Sequence, residues 1–142
     1  MAFTGPAEDR LALRELLDTY ADAVQRVDAA AWGACWAQDA EWSLPDYPEL
    51  GTTCGREAIV AMWEAAMAHY PGIHFHAWPG AIAVDGDVAQ MRSYTAEVYD
   101  HDGITKRDRG IYEDVCVKVD GQWLFKRRVF RNTHRQHAPK GL

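Results

Sequence analysis

Three Asp-Gly pairs in the second half of the sequence constrain the fold more than any other feature. They stand at residues 85–86, 102–103 and 120–121, between long segments in which polar and apolar residues alternate. Asp-Gly between alternating segments is typical of a tight β-hairpin turn, because both residues tolerate positive φ. The sequence therefore predicts a meander of four antiparallel strands over residues 73–84, 88–100, 105–119 and 122–131.

The first half of the chain has helical periodicity instead. Residues 8–28 carry an apolar stripe at three- and four-residue spacing, which predicts a long amphipathic helix. Trp32 to Trp36 predicts a short second helix, and residues 55–70 predict a third that ends at Pro71-Gly72. The remaining segments are predicted as a strand (40–44), a loop (45–55) and a polar, frayed tail (132–142).

Helices followed by an antiparallel sheet predict one α+β domain that spans residues 1–142. The sheet has one face to bury and only three helices to cover it. We therefore expect it to curve around the long helix and to enclose a pocket. Six Trp, six Tyr and four Phe could line that pocket or simply fill the core.

Composition narrows the class of protein. The formal net charge of −6 argues against nucleic acid or an anionic membrane as the main partner. No apolar run approaches the roughly 18 residues that a membrane span needs, and the N-terminus does not resemble a secretory signal. Three isolated cysteines fit a reducing compartment. We expect a soluble, cytoplasmic domain.

Two histidines are the first candidates for chemistry. His74 and His76 alternate along one predicted strand and so share a face. They could supply a general base and a substrate donor, or two ligands of a metal ion, or they could be structural. No H-E-x-x-H motif or Cys/His cluster accompanies them, so we predict no metal and no other cofactor.

A histidine base works best beside a carboxylate that orients its ring. Asp28 lies about 70° from the centre of the helical apolar stripe and can therefore reach inward. The alternative role for Asp28 is to cap the next helix. Tyr20 lies on the stripe itself, where its hydroxyl would need a partner.

The later strands add further candidates. Met91, Ser93, Thr95, Glu97 and Tyr99 share one strand face. A Glu97 that points into a cavity would have a raised pKa and could move protons, whereas a Glu97 at the rim would pair with Arg107 or Arg109. On the last strand, either Arg128 or Arg131 could reach inward to hold an oxyanion.

The order of motifs resembles a known family. It runs from L-L-x-x-Y-A-D-A-V through W-x-Q-D-A-E-W, G-R-E-A-I, I-H-F and V-D-G-D-x-A to D-G-Q-W-L-F. This is similar to the SnoaL-like branch of the nuclear-transport-factor-2-like superfamily, and most similar to its scytalone dehydratase, bile acid dehydratase and hexachlorocyclohexane dehydrochlorinase group. The resemblance implies a cone of curved sheet closed by a long helix, homodimers, and cofactor-independent elimination by a His–Asp pair.

The resemblance also assigns residues. The G-I-H-F motif makes His74 the catalytic histidine. Counting five residues on from the helix tyrosine places the catalytic aspartate at Gln25, whereas the pattern D-R-L-A…Y-x-D…V-D places it at Asp28. Glu97 matches a strand carboxylate of the bile acid dehydratase, and Arg131 loosely matches its last-strand arginine.

Together these observations predict a lyase, a dehydratase or a related eliminating enzyme, for a small hydrophobic cyclic or aromatic compound. The alternatives are an isomerase or cyclase in the same pocket, and a binding domain without catalysis. The predicted catalytic residues are His74, Asp28, Tyr20 and Glu97. The predicted substrate contacts are His76, Gln25, Trp42, Tyr99 and Arg131.

Overall fold

Two of the three Asp-Gly pairs form hairpin turns, as the sequence predicts, whereas the first turn is displaced by one residue to Gly86-Asp87, since Asp85 still pairs with Val88. In the computed structural model, which describes residues 2–141, the φ angles are 53° at Asp102 and 74° at Gly103, with 50° at Asp120 and 80° at Gly121. These left-handed conformations match the twist of the flanking strands. The turns connect β4 (His74–Asp85), β5 (Val88–His101), β6 (Ile104–Val119) and β7 (Gln122–Pro139), each antiparallel to the next.

Three helices pack against this sheet, close to their predicted positions. They are α1 (Ala7–Arg26), α2 (Ala29–Ala34) and α3 (Arg56–Met67). The predicted stripe of α1 is the side that is buried. The helix ends because Val27 adopts a left-handed φ of 51°, and the next residue, Asp28, caps α2. The two helices therefore meet at a sharp corner beside the sheet.

Three further strands complete a sheet of seven: β1 (Phe3–Thr4), β2 (Trp36–Leu44) and β3 (Gly51–Cys54). The strand order is β1-β4-β5-β6-β7-β2-β3, so the sheet has two free edges. Because β1 runs parallel to β4 and β2 runs parallel to β7, the sheet is mixed. The predicted α+β fold is confirmed, but the prediction that all strands are antiparallel is wrong.

The prediction of a frayed tail over residues 132–142 is also wrong for residues 132–139. Strand β7 continues through the predicted tail to Pro139, pairing with the first residues of β6. An antiparallel partner satisfies backbone groups that a frayed tail would leave to water. The predicted loop over residues 45–55 likewise contains β3, which pairs with the end of β2.

Aromatic side chains fill the space between helices and sheet. Trp32 stacks on Trp63 with ring centroids 4.5 Å apart and also contacts Trp36 and Trp42. These four indoles are buried, while Trp78 stays 48% exposed on the sheet.

Within residues 2–141, no helix is long and apolar enough to cross a membrane.

The corner between α1 and α2 gives a first prediction. Asp28 Oδ1 accepts a hydrogen bond of 2.9 Å from Ala31 N. Asn also caps helices well, but Ala cannot. We therefore expect Asp28→Ala to lower the melting temperature by roughly 2–6 °C and Asp28→Asn to leave it nearly unchanged. Thermal unfolding followed by circular dichroism checks this, and equal losses in both variants would contradict it.

Candidate functional site

An internal cavity of about 530 Å³ lies between α1, α3 and the sheet. Its lining is mainly apolar and aromatic, which suits a small hydrophobic molecule. Polar groups enter it at a few positions only. Its lining includes Tyr20, Trp42, Tyr70, Phe75, Glu97 and Tyr112.

Two tyrosine hydroxyls meet in the cavity wall. Tyr20 comes from the buried stripe of α1 and Tyr112 from β6, and their hydroxyl oxygens lie 3.1 Å apart. Both side chains are buried, and desolvation raises the pKa of each phenol above its ordinary value. When one hydroxyl donates to the other, the second keeps a proton that it can donate to a bound oxygen atom.

A fully buried arginine supports this pair. The Arg128 guanidinium carbon lies 3.6 Å from the Tyr112 ring centroid and 4.5 Å from that of Tyr20. Its Nε donates to Asp114 Oδ1 at 2.7 Å, and one terminal nitrogen donates to Asp114 Oδ2 at 3.0 Å. Burial opposes the charge of Arg128, but the Asp114 carboxylate and the two tyrosines together outweigh it and raise the arginine pKa. The stacked cation fixes both rings and offsets negative charge that develops on their hydroxyls.

The inward arginine is thus Arg128, and the predicted contact Arg131 is exposed and does not line the cavity. The cause is a bulge in β7. Cys116 pairs with Phe125 and Val115 with Arg127, so Lys126 is an extra residue on β7. Such a bulge reverses the faces of all later positions. Arg128 and Phe130 consequently share the inner face with Phe125.

Glu97 is the one carboxylate among the residues that line this cavity. Its strand face is the predicted one, with Met91, Ser93 and Thr95 buried beside it. Desolvation and the nearby Asp108 raise the pKa of Glu97 to about 7. Within residues 2–141, Glu97 makes no salt bridge, so the alternative pairing with Arg107 or Arg109 is not formed.

Three tyrosines lie near this end of the cavity: Tyr47 and Tyr70 line it, whereas the predicted contact Tyr99 is buried beside Tyr70 and does not. The Tyr70 and Tyr99 rings lie 4.6 Å apart, and burial together with the Glu97 charge raises the pKa of Tyr70 to about 12. Tyr47, on the loop before β3, accepts hydrogen bonds from Asn132 Nδ2 at 2.9 Å and from an Arg135 terminal nitrogen at 2.7 Å. The extension of β7 therefore holds this loop against the cavity.

The two predicted histidines lie elsewhere. His74 and His76 share a face, as predicted, but both are exposed, and the inward residue between them is Phe75. Together with Arg107, Arg109 and His134 they line a more open groove of about 380 Å³. In this arrangement neither imidazole lines the 530 Å³ cavity.

Asp28 and Gln25 also have partners of their own. Asp28 Oδ1 caps α2, and Asp28 Oδ2 accepts a hydrogen bond of 2.8 Å from Arg26. The Ala31 N–H and Arg26 lower the pKa of this carboxyl below its usual value. Gln25 Oε1 accepts a hydrogen bond of 3.2 Å from Phe75 N, which ties the end of α1 to β4. No hydrogen bond joins Asp28 to His74 within the described chain, so the predicted pair stays a prediction.

The structure gives little support to other chemistries. Burial raises the pKa of the Cys35 thiol to about 11 and also raises that of Cys116, which disfavours thiolate at neutral pH. In residues 2–141 no group of three or more His, Cys, Asp or Glu side chains is arranged to hold a metal ion.

The sequence analysis missed Tyr112, Asp114, Asp108 and His137. Alternation along β6 does place Tyr112 and Asp114 on one face, and this signal could have found them. The same alternation reaches Asp108, so counting along β6 could have found it as well. His137 lies in the predicted tail, beyond a second register shift between Asn132 and His134 of β7, and could not be assigned to the inner face by counting.

The comparison with protein families now adds to this geometry. A SnoaL-like domain model matches residues 6–129. The chain belongs to the SnoaL-like family. The family predicted from the motif order is therefore confirmed. No curated protein matches the chain.

Several solved structures resemble this SnoaL-like domain. A Novosphingobium aromaticivorans protein, provisionally named scytalone dehydratase, is 25% identical with a TM-score of 0.77, and the match covers 94% of each chain. The type 3 hexachlorocyclohexane dehydrochlorinase of Novosphingobium barchaimii is 16% identical with a TM-score of 0.82, over 95% of this chain and 92% of that one. A Mycobacterium tuberculosis protein of unknown function is 23% identical with a TM-score of 0.77, over 91% and 79%. The latter two show a shared fold.

The raised pKa of Glu97 gives a second prediction, on stability. An unfolded glutamate ionises near its ordinary pKa of 4.5, whereas Glu97 in the folded chain ionises near 7. The folded state therefore holds the proton more tightly, and the free energy of unfolding falls as pH rises from 4.5 to 7. The loss is at most about 3 kcal/mol. Urea unfolding at pH 4.5 and pH 8 should show this loss relative to Glu97→Gln, and parallel curves would contradict it.

The buried ion pair gives a third prediction. Asp114→Asn leaves the Arg128 guanidinium buried without its counter-charge, and we expect it to lower the free energy of unfolding by about 3–5 kcal/mol. Glu113→Gln, at the exposed neighbouring residue, should change it by less than about 0.5 kcal/mol. Urea unfolding at pH 7 measures both. A small loss in Asp114→Asn would mean that Arg128 has another way to compensate its charge.

Proposed function

We propose that this SnoaL-like domain is a lyase that eliminates water, or a similar leaving group, from a small hydrophobic cyclic compound without a cofactor. If the same groups returned the proton to another atom of the compound and nothing were eliminated, the domain would be an isomerase. The observation that carries the proposal is a carboxylate whose pKa is about 7, in the same apolar cavity as a pair of tyrosine hydroxyls. A general base is most effective when its pKa lies near the working pH.

The proposed reaction begins at a carbon next to a carbonyl group. The Glu97 carboxylate removes a proton from that carbon while the Tyr20–Tyr112 pair donates a hydrogen bond to the carbonyl oxygen. The resulting enolate expels the hydroxyl on the β carbon, which takes the proton from Glu97 and leaves as water. The products are the unsaturated ketone and one water molecule, and Glu97 is again ionised.

The cavity supports this assignment of substrate. Rings such as Trp42 and Phe75 can pack against both faces of a flat or cyclic molecule. The Trp42 indole N–H is buried and has no acceptor among the described residues. These features suit a compound that is apolar over most of its surface and carries few oxygen atoms.

Turnover of simple cyclic β-hydroxyketones, such as 3-hydroxycyclohexanone, tests the proposal. We expect the enone absorbance to appear, with kcat/KM rising through pH 7 as Glu97 loses its proton. Glu97→Gln should lower kcat by roughly 10²–10⁴-fold. Glu113→Gln, an exposed Glu outside the cavity, is the matched control and should keep full activity. Full activity in Glu97→Gln would contradict the role of this carboxylate.

The same assay tests the His74–Asp28 pair that the resemblance implies. If that pair carries the chemistry, both His74→Gln and Asp28→Asn should abolish turnover. Asp28→Asn keeps a side chain that caps α2, so a loss of activity could not be attributed to a lost cap. Under our proposal, both variants retain activity.

The second candidate function is small-molecule binding without catalysis. Asp28 and Gln25 favour it, because both side chains already have structural partners. Binding of the cyclic ketones without turnover in the unaltered protein, measured by calorimetry, would support this candidate.

The predicted homodimer and cytoplasmic location remain predictions.

A further inference from the structure

Glu97 and Asp108 are direct neighbours across two strands. They form a register pair between β5 and β6, so their side chains project from the same face of the sheet. The β carbons of such a pair lie roughly 5 Å apart. Asp108 is buried. Two carboxylates this close, and away from water, cannot both ionise without mutual repulsion.

A histidine from the end of β7 contacts the second of these carboxylates. His137 Nε2 lies 2.9 Å from Asp108 Oδ1. The Asp108 side chain is only 9% exposed, whereas that of His137 is 40% exposed. The contact therefore links a buried carboxylate beside the cavity to an imidazole that reaches solvent. It is a His–Asp pair, though not the one that the sequence predicts.

Asp108 is the charged group that raises the pKa of Glu97, in addition to burial. On the groove side, the titratable or charged residues that share the groove with both carboxylates are His74, His76, Arg107, Arg109 and His134. Arg135 is the register partner of Asp108, but its terminal nitrogen donates to Tyr47. Lys106 lies over the Tyr99 ring, 5.7 Å from its centroid. The titratable or charged side chains around this end of the cavity are Tyr47 on the loop, His69 and Tyr70 after α3, Tyr99 on β5, Lys106 and Asp108 on β6, and Arg135 and His137 on β7.

We propose that Asp108 and His137 are a positioning pair that determines whether Glu97 holds or releases its proton. Ionised Asp108 favours the protonated form of Glu97 by repulsion. The contact of His137 with Asp108 offsets the charge of that carboxylate and so favours release. The proton affinity of the cavity carboxylate is thus set in part by a contact at the end of β7. This inference extends the proposed function, but its test needs no substrate.

The test is the titration of Glu97 itself, followed by ¹³C NMR of its side-chain carboxyl, with Glu97→Gln to assign the signal. Asp108→Asn removes the repelling charge and should lower the pKa of Glu97 by about one unit. His137→Gln leaves Asp108 uncompensated and should raise it. Glu113→Gln is the control, because this exposed carboxylate on β6 lines neither the cavity nor the groove, and it should change nothing.

Opposite shifts in the two variants identify an electrostatic pair, because a purely structural role would not give opposite signs. An unchanged pKa in Asp108→Asn, or shifts of the same sign, would overturn the inference. If Asp108→Asn does not fold, as circular dichroism would show, His137→Gln decides alone. If the two variants shift the pKa of Glu97 in opposite directions but the protein turns over no ketone, the proposed function is contradicted and this inference stands. If the protein turns over the ketone but neither variant shifts the pKa of Glu97, the proposed function stands and this inference is overturned.

Discussion

The ion pair between Arg128 and Asp114 is the interaction on which the interior depends. Both side chains are fully buried, and their hydrogen bonds join β6 to β7 below the cavity. The guanidinium also packs against the rings of Tyr20, Tyr112 and Phe125, so that one cation organises α1 and two strands. A buried charge is tolerable only with a partner in good geometry. The positions of the tyrosine hydroxyls follow from this requirement.

The two ends of the cavity differ in their electrostatics. At one end, a compensated cation holds a pair of neutral phenols. At the other, Glu97 lacks a salt-bridge partner among the described residues and faces the like charge of Asp108. Burial raises the pKa of acidic groups at both ends of the cavity, and at the second end burial and Asp108 bring the pKa of Glu97 to about 7. A proton acceptor and a hydrogen-bond donor in one apolar space are the minimum that a proton-transfer site needs.

Much of this architecture could be predicted from local patterns. The Asp-Gly turns gave the meander, the apolar stripe of α1 placed Tyr20 inside, and alternation along β5 placed Glu97 on the inner face. These predictions are correct because turn residues and periodicity depend on only a few neighbouring residues. The arginine is different. Alternation from buried Phe125 would put Arg131 inside, whereas the extra residue at Lys126 puts Arg128 there.

The sequence by itself determined the order of the three helices and the four long strands, the family, and the buried faces of α1 and β5, since all of these follow from short-range periodicity and motif order. Tertiary structure alone decided which polar side chains meet. The parallel pairing of β2 with β7, the bulge in β7 and the extension of β7 to Pro139 bring together residues far apart in the chain. They place His137 beside Asp108. Long-range register has no local signal, because one inserted residue reverses the faces of a strand.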